Sequence, residues 1–562
     1  MHFKVDQLSI NIQRVKKIKI FLSVALLAII STGVTFSQEK KEKIIRVNIR
    51  IIEGDNHQIT PAMVCIIGVK DSKVRIPPDA VIPDSPSHTS VFYNGIDYKK
   101  DKNWIGPIRK MSGLGDNDDR SYVYELVPSI PYWKEPVMYQ TSGDFSIDLP
   151  PGRWLISIEH GNEYVPVREE IDVSPNEKEK VKTFALKRWI NLPQKGWYSG
   201  DVHVHHPTNR PQFKEYLLEY AKSEDIHLVN VLEMGHHLGT DFKQEGFGQK
   251  FRMCKSDICL VSGQEEPRSE FGHIIGLNIS HLTRDTSVYN YYDLAFEKLH
   301  LQPGAIVGFA HFSWNGCDLP RGFPWWITTG EIDFVELLQF TKLNSMDYYD
   351  YLNLGFRITA AAGSDVPWGS TLGEVRTFVY TGRKFSADAW FEGLKSGNTF
   401  VSNGPALFFE VDKKIPGTEI VKSKGSNAVL KAKAISNPGI GVINRIAIYN
   451  NDGLVVEKTN QQKSDSIEIN LVHTLNKSQW IAAVVYCDNG AVAHTTPVYI
   501  IVDGRPTWDA NKGPDIIRKQ MEAIKKTEDE EKIKKVADQG IIQRMETARV
   551  FYKKLLSEMN RK

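Results

Sequence analysis

The sequence predicts a multidomain α/β and β protein, with a central α/β barrel flanked by two β-sandwich domains and closed by a helical C-terminal tail. Three observations carry this expectation. From about Leu192 to Pro405, short apolar runs alternate with helix-like stretches. On either side, runs of apolar and polar residues alternate with period two. Beyond Pro514 the chain is charged, with apolar residues at roughly helical spacing. At 562 residues it is also too long for a single core.

Taken from the N-terminus, Arg14, Lys16, Lys17 and Lys19 precede an apolar run from Ile20 to Ile30 and a small-residue exit ending near Ser37. A basic stretch, a short apolar stretch and small residues read as a secretory signal over residues 1–37. The expected location is therefore periplasmic or secreted, with an N-terminal membrane anchor as the alternative. Those 37 residues carry five Lys/Arg and one Asp, so without them the formal charge changes from +2 to −2. The basic balance thus gives no support for nucleic-acid binding, and no stable membrane insertion is expected after cleavage. Five cysteines do not make a disulfide framework in a chain of this size. Cys254 and Cys259 flank a short segment and can pair in an oxidising compartment.

Residues 40–190 read as the first sandwich. Ile45-Arg46-Val47-Asn48-Ile49-Arg50-Ile51 and Trp154-Leu155-Ile156-Ser157-Ile158-Glu159 alternate, and a Pro/Asp-rich insertion from about Pro77 to Asp119 reads as loop. The central region, 191–405, offers strands at His227–Leu232, Ile258–Val261, Ile274–Leu277, Ala305–Ala310, Phe334–Leu338, Ile358–Ala362 and Thr377–Tyr380. Helices are expected at Phe213–Lys222 and Tyr292–Leu301. Continuous apolar strands alternating with helices imply a mostly parallel, closed or nearly closed sheet. Residues 406–503 return to strands such as Asn427–Ala434, Arg445–Tyr449 and Trp480–Tyr486, and 504–562 form the helical tail.

Ligand-type residues recur at the ends of the central strands, where α/β barrels place their chemistry. His203 and His205, spaced i, i+2 on an extended strand, point to one face and can reach one ion. Asp201 is placed to accept an imidazole N–H and fix its tautomer. His206, by alternation, points away. A carboxylate at the Glu265-Glu266 position can bridge two divalent ions, with Glu265 favoured, and His273 leads into the next strand toward the same centre. His311 and Asp365 each follow an apolar run, and Asp365 could alternatively serve as a general base. Arg268 reads either as a clamp for phosphate or carboxylate oxygens or as an ordinary ion-pair partner. Trp314, Trp325, Trp326 and Trp368 either line a pocket for an aromatic or sugar-like substrate or pack loops.

Taken in order, His203-Val204-His205, Gly263-Gln264-Glu265, Gly272-His273, His311 and Gly363-Ser364-Asp365, with Asn403-Gly404-Pro405 after Gly397–Val401, resemble the PHP (polymerase and histidinol phosphatase) metal-dependent hydrolases, in the CehA/McbA-like branch. The resemblance covers roughly residues 195–405. It implies a PHP-type distorted (β/α)7 barrel holding two or three divalent ions, and hydrolysis of a phosphoester or, in this branch, of an ester, carbamate or amide. The mixed nitrogen and oxygen donors point to Zn2+ or Mn2+. Separately, Gly143–Gly152 is similar to a phrase common in transthyretin-like or carboxypeptidase-regulatory modules.

Two departures bear on the site. Where the family usually has Asp-His at the end of the second strand, this chain has Glu233-Met234, with His236 and His237 shortly after. Either histidine, or Glu233, is a substitute ligand, and His236 and His237 are also candidates to protonate a leaving group. The family's final Asp-x-His is here Asp365-Val366-Pro367, so a binuclear centre is the safer expectation. The expected metal ligands are therefore His203, His205, Glu265, His273, His311 and Asp365, and the expected partner is a small-molecule or glycan-like substrate. The competing reading is a non-catalytic surface or glycan-binding protein whose metal is structural.

Overall fold

A computed structural model describes residues 43–79, 138–209, 211–237, 239–313, 321–366 and 371–561. The segment 1–37 expected to be a secretory signal, the greater part of the Pro/Asp-rich insertion, Cys317, Trp314 and Trp368 lie outside the described residues. The chain is mostly β-sheet with interspersed helices. Among the described residues no helix is long and apolar enough to cross a membrane.

The N-terminal strands form two sheets around one core. Ile45–Glu53 pairs antiparallel with Asp144–Leu149 and parallel with Glu179–Leu186. Ala62–Gly68 pairs with Gly152–Glu159, which pairs in turn with Val167–Val173. Period-two alternation puts Val47, Ile49 and Ile51 of one sheet against Val64, Ile66, Ile156 and Ile158 of the other. This unit sits on the central region through Met63, Cys65 and Met138, which pack with Leu217, Leu218 and Ala221 of the helix Pro211–Ser223.

Seven strands of the central region form a circuit: β1 (Trp197–Val204), β2 (Leu228–His236), β3 (Ile258–Ser269), β4 (Gly272–Leu277), β5 (Ile306–Phe309), β6 (Phe334–Gln339) and β7 (Thr359–Ala362). The pairings β1–β2, β2–β3, β5–β6 and β6–β7 are parallel, and β4 runs antiparallel to both neighbours. A parallel bridge between Val204 and Val366 closes the circuit, reinforced by the His205 N–H to Val366 carbonyl bond of 2.7 Å. The strands are buried along nearly their whole length, so apolar and polar residues do not alternate regularly along them. Close approach requires glycine at Gly200, where a Cβ would come within 2.4 Å of the Trp390 ring. That tryptophan belongs to the helix Ala387–Lys395 and donates its indole N–H to the Tyr198 carbonyl at 3.0 Å.

β1 also pairs with Arg376–Tyr380, which continues through Thr399–Ser402 to Val492–Thr495. The sheet therefore runs by hydrogen bonds from the circuit into the C-terminal strands. There a three-stranded sheet of Ala406–Val411, Asn427–Ile435 and Ser466–Thr474 shares a core with Ile443–Asn450 and Gln479–Cys487. The helices Gly513–Lys532 and Gln539–Asn560 form a hairpin packed on the body. Ile517, Ile524, Ile541, Met545 and Tyr552 join a core with Phe296, Trp326 and Tyr348. Trp325 and Trp326 are part of that core, buried, so they pack structure rather than line an open pocket.

Candidate metal centre

The parallel strands of the circuit all present their C-terminal ends at one mouth, and the reversed β4 presents its N-terminal end there. This is how His203 and His205 (end of β1), Glu265 (β3), His273 (start of β4), His311 (after β5) and Asp365 (after β7) come together although they span more than 160 positions of sequence. Their donor atoms fall into groups lying within 4.8 Å of one another: His203, His205 and Asp365; and Glu265, His273 and His311. All six are buried except His273, which is partly exposed.

In the first group, His203 Nε2 and His205 Nε2 are 3.0 Å apart, and Asp365 Oδ1 lies 3.3 and 3.4 Å from them. Glu265 completes it, with Oε1 3.5 Å from His203 Nε2 and Oε2 3.4 Å from His205 Nε2. Four ligand atoms around a tetrahedral zinc are spaced by about 3.3 Å, given bond lengths of about 2.0–2.1 Å. In the second group, Glu265 Oε1 is 2.9 Å from His273 Nδ1 and 3.3 Å from His311 Nε2, and the two imidazole nitrogens are 3.1 Å apart. Glu265 thus belongs to both groups.

The imidazoles are aimed by acceptors on their far sides. His203 Nδ1 donates to Glu336 Oε1 at 2.8 Å, His205 Nδ1 to the Leu232 carbonyl at 3.1 Å, and His311 Nδ1 to Gln339 Oε1 at 3.0 Å. Glu336 and the Leu232 carbonyl can only accept, so the Nδ1–H tautomer is fixed and each Nε2 turns its lone pair into the mouth. Lone pairs facing one another at 3.0 Å call for a proton or a cation between them. The buried Glu265 Oε2 adds to this: Arg268 Nε approaches it to 2.8 Å, yet no donor is aligned for a hydrogen bond. The donor set, its spacing and this orphaned oxygen all fit a divalent cation.

The charges agree. Burial opposes ionisation of Glu265, but its neighbours, Arg268 foremost and then His203, outweigh it and hold the carboxyl well below its ordinary range. Burial likewise opposes charge on His203, and Glu336, Asp365 and Glu265 overcome it, raising the imidazole well above its usual value, so that without an ion it favours the proton that a cation would displace. His273 is pushed down to about 4, chiefly by burial, and is neutral and ready to ligate. Backbone geometry at the site is also unusual. His311 and Asp365 have φ of 59° and 56°, the left-handed region that L-residues seldom adopt and that concentrates at functional sites.

Other residues singled out in the sequence fall elsewhere. His236 is on an exposed hairpin with Nε2 3.7 Å from Asp241, and His237 packs its ring on Tyr289 at 4.4 Å. Glu233 accepts the backbone N–H of Gln244 at 3.0 Å. None of the three belongs to the donor groups. His206 faces away, as alternation predicts, stacked on Tyr216. Glu266 is buried 3.8 Å from Arg284, and burial pushes its carboxyl up to about 8. Asp201 does not hold an imidazole. Its carboxylate accepts the backbone N–H groups of His203 (3.1 Å), Ser364 (3.0 Å) and Gly373 (2.9 Å), fixing the main chain where β1 meets the β7 loop. The imidazole partner is Glu336, which sequence reasoning missed. The available signal was an acidic residue inside the apolar run Phe334–Leu338.

No family model matches the chain, and no curated protein matches it. Partial likenesses occur among solved structures. The lesion-specific endonuclease PfuEndoQ from Pyrococcus furiosus is 13% identical over 36% of this chain and 55% of its own, with a TM-score of 0.24. This chain therefore spans about half the length of that endonuclease. The fibronectin(III)-like modules of Clostridium thermocellum CbhA (14% identical, 17% of this chain, 97% of theirs) give a TM-score of 0.14. The CARDB domain of the PF1109 protein from Pyrococcus furiosus, solved with di-metal ions, gives 0.13 at 20% identity, covering 17% of this chain and 89% of its own. At TM-scores this low the likenesses carry no functional weight, and the reading of the site rests on its own geometry.

Proposed function

We propose that this protein is an exported metal-dependent hydrolase built on a PHP-type barrel, similar to the CehA/McbA-like branch, with a binuclear centre. The observation that carries the reading is Glu265: one buried carboxylate contacts two sets of nitrogen and oxygen donors. His203, His205 and Asp365 would complete one ion site, and His273 and His311 the other, with Zn2+ or Mn2+ suited to this mixture.

Divalent ions held there supply Lewis acidity and lower the pKa of a water molecule. The side chains around them do the rest. Arg268 Nε lies 2.8 Å from Glu265 Oε2 and donates to His273 Nδ1 at 3.4 Å while its side chain stays 22% exposed, so the outer edge of the guanidinium can take a phosphoryl or carbonyl oxygen of the substrate. Its charge offsets the negative charge that develops there. Asp365 uses Oδ1 toward the paired imidazoles, and Oδ2 is the atom to accept the proton released by the attacking water. Phosphoesters, carboxyl esters, carbamates and amides all fit this chemistry, in a small-molecule or glycan-like substrate. The basic, apolar and small-residue order of residues 1–37 supports export, as does the Cys254–Cys259 disulfide on neighbouring strands.

The test is metal analysis of the purified full chain together with turnover of p-nitrophenyl phosphate, bis(p-nitrophenyl) phosphate, p-nitrophenyl acetate and an aryl carbamate. Two equivalents of divalent ion and chelator-sensitive turnover of at least one class are expected. Tightly held ions without turnover on any class would make the metal structural and the protein a binding module.

A further inference from the structure

We infer that Glu336 is a positioning residue that serves both ion sites at once, an inference that rests on the binuclear reading above. Its carboxylate is fully buried in β6. Oε1 accepts the Nδ1–H of His203 at 2.8 Å, and Oε2 accepts the backbone N–H of His311 at 2.7 Å. The first contact aims a donor of one site. The second pins the peptide that carries a donor of the other, at a residue whose φ of 59° needs an external hold. The two donors lie on strands that are not neighbours in the circuit, and Glu336 is the side chain between them.

The local backbone is shaped for this. Glu336 and Gln339 are three residues apart and would face opposite sides of a regular strand. The register between β6 and β7 shifts between Glu336 and Leu338, and a bulge of this kind re-aims side chains. Both residues consequently reach the mouth: Glu336 holds His203 and the His311 backbone, and Gln339 holds the His311 ring. On the side toward β7, Gly363 leaves room for the carboxylate, since a Cβ there would stand 2.5 Å from Glu336 Oε1.

A carboxylate can accept at both oxygens, whereas an amide of the same shape must turn its NH2 toward one of two donors. Glu336→Gln therefore breaks either the His203 or the His311 contact while preserving volume. Binding of Zn2+ and of Mn2+ to the full chain, measured by competition with a chromogenic chelator, should resolve two equivalents in the wild type. In Glu336→Gln the equivalent whose contact is lost should weaken by about 10–100-fold, as for other residues that orient ligands, and in Glu336→Ala, which lacks both acceptors, both equivalents should weaken. Gln339→Ala should weaken only the equivalent held by His311 and His273, and identifies it.

Wild-type affinity for both ions in Glu336→Gln, or loss at one site alone in Glu336→Ala, overturns the inference while leaving the binuclear reading intact. A wild type that binds no ion overturns both. Should Glu336→Gln fail to fold, 15N-histidine NMR of the zinc-loaded wild type decides the matter. His203 must carry its proton on Nδ1, and a proton on Nε2 refutes the assignment.

Discussion

At the scale of single residues, the site is organised by which atoms can only accept and which can only donate. His203 and His205 are each locked as Nδ1–H by an acceptor, so their Nε2 atoms converge with the carboxylates of Asp365 and Glu265. Glu265 is the side chain common to both donor groups, and replacing it by Gln keeps the shape but removes the charge and the second acceptor. Glu265→Gln is expected to lower affinity for both ions and chelator-sensitive turnover by about 100-fold or more, beyond the usual effect of an orienting residue. By contrast, His236→Ala and His237→Ala should leave ion stoichiometry at the wild-type value, because neither ring is in a donor group. Loss of an equivalent in either variant would mean that the second-strand loop reaches the centre after all.

At the scale of elements, the circuit works because β1 and the end of β7 approach closely. At Gly363 an added Cβ would meet the His203 Cβ and Glu336 Oε1, each at 2.5 Å, and the His203 backbone nitrogen at 3.0 Å. Gly363→Ala should cost about 1–3 kcal/mol by overpacking and weaken ion binding by displacing the His203–Glu336 pair. A thermal melt read alongside metal content checks both effects. Much of this arrangement was legible beforehand. Buried parallel strands leave long apolar runs, and polar residues at the run ends, His203, His205, Glu265, His311 and Asp365, stand out against them. The antiparallel β4 was not visible as such, though its consequence, His273 beside the others, followed from Gly272-His273 opening an apolar run. Glu336 stood out only as an acidic residue inside an apolar run, and its role with that of Gln339 was hidden because period-two reasoning assumes regular register. The shift between Glu336 and Leu338 is a property of the β6–β7 pairing, and no local pattern encodes it. Asp201 was given the wrong partner for a similar reason, since the backbone N–H groups of Ser364 and Gly373 that donate to it lie in loops far away in sequence.

At the scale of the whole molecule, the flanking parts are wedged against the central circuit, and their contacts set its stability. Tyr552 of the C-terminal hairpin is fully buried and donates to the Pro324 carbonyl at 2.7 Å, so Tyr552→Ala should cost about 3–5 kcal/mol, as for other buried aromatics. The N-terminal strands are joined through charges. Arg188 bridges Glu163 and Asp225 at 2.9 Å each, and beside them Arg376 Nη2 lies 3.4 Å from Glu224 Oε2. Glu224 is faced by Arg376, His160, Thr371 and the like-charged Asp225, and burial is the largest influence, pushing its carboxyl up to about 7. An unfolded glutamate titrates near about 4.3, so the folded state keeps a proton that the unfolded chain releases. That contribution is fully present below about pH 4.3 and is lost as pH rises through 7. Metal-free protein, melted in chelator, should therefore lose stability between about pH 4.3 and 7. Glu224→Gln, neutral at every pH, should make the decline shallower, leaving the part due to carboxyls such as Glu266, and an equally steep decline in that variant would show that Glu224 is already ionised in the fold.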